Sequence, residues 1–356
     1  MKLENNKKTI VLCGGGTAGH VMPNVALLPE LEKHFNNIYY IGSVNGIEKN
    51  IMANYPVKYK EITTVKLVRS LSLKNLLIPF KLFKGINQAK KLLKQIKPNI
   101  IFSKGGFVSV PVTIAGKMLK IPIVAHESDL SLGLANKIIL KQCEVMCCSF
   151  SNTALSLKNK GVYTLSPVRP ELFLGNKSKA KQECGFYNNL PTLLIIGGSL
   201  GATKINETVF KCSKELSKQF NIIHIVGNGN YNKNIKIKNY YQIEFTTKIE
   251  NYFALCDIVV SRAGSNAIFE FLALKKPMLL IPLPKGNSRG DQVENAQNFL
   301  NNGFAHVLYQ ENLTEQNLIV SVNNLYNNRF EIIKNQQKYS GNGVKNIVNQ
   351  ILKYAK

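Results

Sequence analysis

Short apolar runs alternate along the chain with longer amphipathic stretches, and in four places a glycine turn stands between a run and the stretch that follows it. Such alternation predicts strands of a parallel sheet, each followed by a crossover helix. Four of these units stand out, and they begin at TIVLCGGGTAGH, NIIFSKGGFVSVP, TLLIIGGSLGA and CDIVVSRAGSNAIFEFLAL. The pattern therefore predicts an α/β protein built from doubly wound sheets.

The spacing of these units predicts two domains of similar size. Two units precede residue 165 and two follow it, with the proline-flanked segment SPVRP between them. We place one domain at residues 1–166 and the other at 167–341. Residues 342–356 form a final amphipathic helix, and the pattern alone does not decide which domain that helix packs on.

Length and composition agree with two globular domains. The chain has 356 residues, of which 45% are hydrophobic, so each half can bury a core. No apolar run is long enough to span a bilayer, and the N-terminus lacks a signal-peptide core, so we expect a cytoplasmic protein. The seven cysteines form no CxxC pair and no zinc-binding spacing. We read them as reduced core thiols and predict no metal site.

The formal net charge of +25 suggests an anionic partner. We attribute about half of this excess to a general enrichment in lysine, but residues 58–97 hold eleven basic residues against the single acid Glu61. Apolar residues lie among these basic ones: Leu71, Leu73, Leu76, Leu77, Ile78, Phe80, Leu82 and Phe83. The segment is typical of insertion at an anionic membrane surface. A buried amphipathic helix with a solvated basic face is the alternative. No signature of a nucleic-acid-binding module occurs, so we predict no nucleic-acid partner.

The glycine turns are candidate phosphate sites, because ligands of open parallel sheets bind beyond the carboxyl ends of the strands. The backbone can approach a phosphate there, and the next helix offers free N–H groups. The first turn fits GxGxxG at Gly14, Gly16 and Gly19, but the second strand, IYYIGS, ends without the acid that a dinucleotide ribose needs. We therefore predict no NAD or FAD. His20 follows the last glycine and is either a positioned acid or base or a helix-capping side chain.

The third and fourth turns extend the same reading to the second half of the chain. GGSLGA offers the hydroxyl of Ser199, and RAGSN precedes a helix that contains Glu270. That carboxylate is either an acceptor for a ribose diol or a surface acid favoured by the helix dipole.

Taken together, these stretches resemble the MurG family of glycosyltransferases. The similar stretches are GGGTAGH at 14–20, GGF at 105–107, HESD at 126–129, PVR at 167–169, GGSLGA at 197–202, RAGSNAIFE at 262–270 and SRGDQVENA at 288–296. The resemblance implies a GT-B fold, in which two Rossmann-like domains face each other across a cleft. It implies that the N-terminal domain binds the acceptor, that the C-terminal domain binds the nucleotide sugar, and that the final helix packs back on the N-terminal domain.

The resemblance also implies an activity and its partners. The family transfers N-acetylglucosamine from UDP-GlcNAc to lipid I, making lipid II for peptidoglycan, without a cofactor. This protein is therefore expected to be peripheral at the cytoplasmic face of the cell membrane. A related GT-B enzyme that glycosylates another lipid, such as diacylglycerol, is the alternative, and the oligomeric state stays open.

The resemblance further carries substrate contacts onto this sequence. The matching residues are Thr17, Ala18, Gly19, Asp129, Arg169, Ser199, Thr246, Ser265, Asn266, Glu270 and Gln292. Arg169 and Ser199 match contacts to the diphosphate, Thr246 matches a contact to uracil, and Gln292 matches a contact to the sugar. HESD departs from the family's more common HEQN, so Asp129 places an acceptor-only carboxylate where an amide could donate.

The reaction that the resemblance implies is a single displacement that inverts the anomeric carbon. A base must take the proton of the attacking 4-hydroxyl of MurNAc. We assign this role to His20, with Glu127 or Asp129 as the competing candidates.

Overall fold

The computed structural model describes residues 8–64, 78–198, 201–286, 289–339 and 341–356. The chain divides into two compact units, one formed by Met1–Arg169 with Asn342–Lys356 and the other by Pro170–Gly341. The boundary falls after Arg169, whereas the sequence analysis placed it after residue 166.

The first unit is built on a seven-stranded parallel sheet in the order β3-β2-β1-β4-β5-β6-β7. Its strands are β1 (Thr9–Cys13), β2 (Asn37–Ser43), β3 (Lys58–Ile62), β4 (Ile100–Ser103), β5 (Ile123–Glu127), β6 (Val145–Cys148) and β7 (Gly161–Tyr163). Its helices are α1 (Met22–Leu31), α2 (Ile47–Met52), α3 (Ile78–Ile96), α4 (Ser109–Met118), α5 (Leu134–Ile139) and α6 (Ser151–Ser156). The order reverses direction at β1 and β4, which is where a doubly wound sheet offers its binding crevice.

The second unit repeats this plan with a six-stranded parallel sheet in the order β10-β9-β8-β11-β12-β13. Its strands are β8 (Thr192–Ile196), β9 (Asn221–Ile225), β10 (Tyr240–Ile243), β11 (Ile258–Ser261), β12 (Met278–Leu280) and β13 (Ala305–Val307). Its helices are α7 (Lys177–Glu183), α8 (Thr203–Leu216), α9 (Ile249–Leu255), α10 (Ser265–Ala273), α11 (Asp291–Asn301), α12 (Glu315–Asn327) and α13 (Arg329–Gln337). The prediction of two doubly wound α/β sheets is confirmed.

The last helix, α14 (Val344–Tyr354), belongs to the first unit. Its apolar face contributes Val344, Ile347, Val348 and Ile351 to the core that also contains Ile10 of β1. Every fourth or third residue of this helix is apolar, so the helix buries one continuous stripe.

Several predicted features lie outside the described residues, among them Ser199 and the part of the basic segment from 65 to 77. None of the helices in the described part of the chain has the length and apolarity that a bilayer crossing needs. All seven cysteines are free thiols, and all except the partly exposed Cys184 are buried. Burial raises the pKa of Cys13 to about 11, which keeps that thiol protonated and inert at neutral pH.

Candidate active site

The first glycine loop follows β1 as Gly14-Gly15-Gly16, and buried polar side chains form hydrogen bonds with its backbone. The Tyr40 hydroxyl donates to the Gly14 carbonyl at 2.9 Å. The Gly16 N–H donates to a carboxylate oxygen of Glu48 at 3.2 Å, and Glu48 is fully buried. Glu48 also accepts from the backbone N–H and the hydroxyl of Ser43 at the end of β2. These bonds fix the path of the loop at the carboxyl edge of the sheet.

The GGF loop after β4 packs directly on this first loop. A Cβ atom at Gly106 would lie 2.5 Å from the Gly15 carbonyl oxygen and 3.3 Å from His20 Cγ. A Cβ atom at Gly16 would lie 2.3 Å from the Phe107 ring. Gly106 thus meets the backbone of the first loop, and Gly16 meets the Phe107 ring. Both glycines have a positive φ, so the packing of the two loops favours glycine at both positions.

His20 lies where these two loops meet, at the end of a short 3₁₀ turn formed by Ala18–His20. Its Nδ1 is 2.9 Å from the hydroxyl oxygen of Thr17. When Nδ1 carries the hydrogen and donates it to Thr17, Nε2 is left as the basic nitrogen. In this geometry His20 can act as a base whose ring is oriented by Thr17. Both residues were predicted from the sequence to belong to the site.

Glu127 ends β5 and organises the loop that follows it. One carboxylate oxygen accepts from the N–H of Asp129 at 3.0 Å, and the other accepts from the N–H of Gly133 and the amide of Asn136 at 3.1 and 2.9 Å. Burial, with help from the charge of Asp129, raises the pKa of Glu127. Glu127 is only 4% exposed, and its hydrogen bonds hold the HESD loop in shape. Asp129, in contrast, is partly exposed.

The second unit forms a cavity of about 380 Å³ at the carboxyl edge of its sheet. Its lining residues are Gly197, Gly201, Ala202, Thr203, Lys204, Arg262, Leu283, Gln292 and Gln310. Gly201 has a φ of +77°, and a Cβ atom there would lie 2.1 Å from the Val226 carbonyl oxygen. Gly201 therefore lies close to the end of β9. Helix α8 begins beside the cavity, where the N–H groups of its first turn have no partner within the helix.

Arg262 follows β11 and supplies a partly buried cation to this cavity. Its guanidinium donates to the Ile281 carbonyl at 3.1 Å and to the side-chain oxygen of Gln310 at 2.6 Å. Burial lowers its pKa, but a guanidinium stays charged at neutral pH. A fixed positive charge beside a helix N-terminus suits an anionic ligand such as a diphosphate.

The structure brings together some of the remaining predicted contacts. Gln292 lines the same cavity, and its side-chain oxygen accepts from the Leu283 N–H at 3.0 Å. Ser265 and Asn266 open α10, and Glu270 lies further along that helix. Thr246 follows β10, where its hydroxyl accepts from the Lys248 N–H at 2.9 Å.

Two site-shaping residues were missed by the sequence analysis. Glu48 belongs to no recognisable sequence motif. No local pattern connects it with the first glycine loop, which lies about thirty residues earlier. Lys104 directly follows β4 in the stretch FSKGGF, and it is only 1% exposed. A lysine between a mostly apolar run, NIIFS, and two glycines was the signal that could have marked it, although buried lysines are rare.

Comparisons with known proteins agree with this arrangement. The model of the glycosyltransferase family 28 N-terminal domain matches residues 10–147, and that of the family 28 C-terminal domain matches residues 192–351. A Clostridium tetani protein named UDP-N-acetylglucosamine--N-acetylmuramyl-(pentapeptide) pyrophosphoryl-undecaprenol N-acetylglucosamine transferase is 47% identical, and the match covers 98% of each chain. A Clostridium botulinum protein of the same name is 49% identical, over 98% of this chain and all of its own length.

Solved structures show the same fold. The crystal structure of Acinetobacter baumannii MurG has a TM-score of 0.77 at 23% identity and covers 97% of this chain and 99% of its own. The calicheamicin glycosyltransferase CalG4 has a TM-score of 0.71 at 11% identity, covering 98% of each chain. The fold and the glycine loops thus define a GT-B glycosyltransferase. Within that class the chain belongs to glycosyltransferase family 28 and, by its close relatives, to the MurG family.

Proposed function

We propose that this protein transfers N-acetylglucosamine from UDP-GlcNAc to the 4-hydroxyl of MurNAc in lipid I, which yields lipid II. The observation that carries the proposal is the pair of interlocked glycine loops that hold His20 beside Thr17. The names of relatives that are 47% and 49% identical over 98% of the chain support the same reaction. The first unit is the acceptor-binding part, and the second unit binds the nucleotide sugar.

The donor diphosphate is the proposed ligand of the cavity in the second unit. The Gly197 backbone, the N-terminus of α8 and the charge of Arg262 supply stabilisation for the negative charge that develops as UDP leaves. Arg169 and Ser199 add contacts to the diphosphate. Glu270 binds the ribose, Thr246 binds the uracil, and Gln292 binds the sugar.

His20 is the proposed base for the attacking hydroxyl. Its Nε2 takes the proton while Thr17 holds Nδ1, and loss of such a base costs about 10²–10⁴-fold in rate. Glu127 is the weaker candidate, since both of its oxygens already accept hydrogen bonds from the loop that it holds. Its proposed contribution is to keep Asp129 in place.

The direct test is transfer of labelled N-acetylglucosamine from UDP-GlcNAc to a lipid I analogue in detergent, with UDP-glucose and diacylglycerol as control donor and acceptor. Labelled disaccharide from only the first pair supports the proposal. Product on diacylglycerol instead would assign the protein to the related lipid glycosyltransferases. His20→Ala should lower turnover by about 10²–10⁴-fold and leave UDP affinity near that of the wild type, and near-normal turnover would remove His20 from this role.

We also propose that the first unit binds the anionic cytoplasmic face of the membrane. Phe80 and Phe83 of α3 are 75% and 66% exposed, and Lys81 and Lys84 stand beside them. Exposed aromatic rings rimmed by lysine suit insertion among anionic headgroups, with each cation contributing about 1 kcal/mol.

This surface can be tested by sedimentation with vesicles rich in phosphatidylglycerol. Phe80→Ser with Phe83→Ser should abolish most of the bound fraction. Leu155→Ser is the matched control. Leu155 is 77% exposed on α6, which packs against β7 at one edge of the sheet, whereas α3 packs against β3 at the opposite edge. Equal retention of both variants would contradict the assignment to α3.

A further inference from the structure

Two glutamine side chains line the cavity of the second unit, and the proposed reaction uses only one of them. Gln292 carries the predicted contact to the sugar, whereas Gln310, in the short 3₁₀ turn Gln310–Asn312 after β13, has no role so far. Two cations, Lys204 and Arg262, line the same cavity, and none of its described lining residues is an acid. The cavity therefore suits an anionic group, to which an amide can add a neutral hydrogen-bond donor.

The contact with Arg262 fixes the orientation of the Gln310 amide. Nη2 of Arg262 lies 2.6 Å from Oε1 of Gln310. A guanidinium has only donors, so the amide must present its oxygen to Arg262 and keep its NH₂ group on the other branch. Arg262 Nη1 donates to the carbonyl of Ile281, directly after β12, at 3.1 Å. The cation that orients the amide is therefore itself held at the carboxyl end of a strand.

The NH₂ group of Gln310 has no acceptor in the described part of the chain. Gln292 shows the same arrangement on the other side chain of the pair. Its Oε1 accepts from the Leu283 N–H at 3.0 Å, and its Nε2 finds no acceptor among the residues that the structure describes. Both amides are thus bound to the protein through oxygen, and each brings two N–H donors to the cavity that a ligand can use.

We propose that Gln310 is a further substrate-binding residue of this cavity, whose Nε2 donates to an oxygen of the donor's diphosphate while its Oε1 orients Arg262. A hydrogen bond to an anionic oxygen is stronger than one between neutral groups, so this donor adds to affinity as well as to alignment. The inference rests on the proposed function, in which the cavity binds the diphosphate of UDP-GlcNAc.

Calorimetry with UDP and with uridine tests the contact. Gln310→Met removes the amide at nearly constant volume and should weaken UDP binding by about 10-fold. Uridine, which has no phosphate, should bind the wild type and this variant with equal affinity. Gln297→Met is the matched control, because Gln297 Oε1 accepts from the hydroxyl of Tyr309 at 2.7 Å and its Nε2 donates to Asn301 at 2.8 Å. Both branches of that amide are used within the protein, so UDP affinity should stay unchanged.

The Arg262→Met background separates direct contact from orientation. If Gln310 Nε2 contacts the diphosphate, Gln310→Met should still weaken UDP binding in that background, by about 3-fold. The loss is smaller there because the amide no longer has the guanidinium that orients it. No further loss in the double variant would mean that Gln310 acts only through Arg262, which would overturn the direct contact.

The remaining outcomes distinguish the role of Gln310 from the proposed function. Unchanged UDP affinity in Gln310→Met, or an equal loss of affinity for uridine, would overturn this inference in an enzyme that still transfers N-acetylglucosamine. If Gln310→Met does not fold, Gln310→Asn takes its place with the same expected results, since it withdraws the amide by one methylene. A wild type that does not bind UDP would overturn the proposed function itself.

Discussion

A methyl group at Gly106 is expected to disable His20 without unfolding the protein. Gly106 has a φ of +76°, and its Cβ would lie 2.5 Å from the Gly15 carbonyl oxygen and 3.3 Å from His20 Cγ. Both neighbours belong to the first glycine loop, so Gly106→Ala pushes on that loop as well as on its own backbone.

The magnitude follows from two separate effects. The left-handed conformation costs alanine about 1–2 kcal/mol relative to glycine. Relief of the clash with Gly15 requires the two loops to separate by roughly 1 Å, and a displacement of that size at a catalytic group can cost about 10²-fold in rate. We therefore expect kcat to fall by about 10²-fold while the protein stays folded.

Gly185→Ala is the matched control for the backbone effect. Gly185 has a φ of +67°, and its added Cβ would meet nothing within 4 Å. Gly185→Ala should lose about 1–2 kcal/mol of unfolding free energy in urea. Gly106→Ala should lose more, because of its added clash with Gly15, and it alone should lose transfer activity to a lipid I analogue. If the two variants keep the same kcat, the loops do not position His20.

Three further outcomes are expected. Arg262→Met should weaken UDP binding about 10-fold in calorimetry, because the cavity loses its fixed cation; unchanged affinity would place the diphosphate elsewhere. Ile351→Ala, at a fully buried position of α14, should lower the unfolding free energy by about 2–5 kcal/mol and leave UDP affinity unchanged. A loss below about 0.5 kcal/mol, which is typical of an exposed position, would contradict the packing of α14. Burial lowers the pKa of His224 to about 3, so the unfolded chain binds more protons between pH 6.5 and 3. Stability should fall through that window as pH drops, by up to about 1.4 kcal/mol per pH unit, and a urea titration of His224→Gln should show a flatter acid limb.

The sequence predicted the parts of the fold that local rules control. Apolar runs followed by glycine turns located β1, β4, β8 and β11, since each of these strands must end where a glycine lets the chain turn into a helix. Helix starts were less well predicted. The sequence analysis set no start for α1, which begins at Met22 with Pro23 in its first turn.

Residues that act across long sequence separations could not be predicted from the sequence. Glu48 supports Gly16 from 32 positions away, and a glutamate on a short helix has no pattern that separates it from a surface acid. His224 shows the same limit: its ring nitrogens lie 2.7 Å from the Tyr240 hydroxyl and 3.1 Å from Asn206 Oδ1, and the three residues come from β9, β10 and α8. Only the sheet order makes these residues neighbours.

The return of α14 to the first unit reverses the usual order of events during synthesis. Domains generally fold as they emerge, with the N-terminal one first. Here residues 170–341 are complete before the ribosome adds Val344, Ile347 and Ile351, which belong to the same core as Ile10. The unit that begins the chain is therefore the last to obtain its full core. A premature stop codon in the last dozen or so positions would damage the beginning of the protein and leave its middle intact.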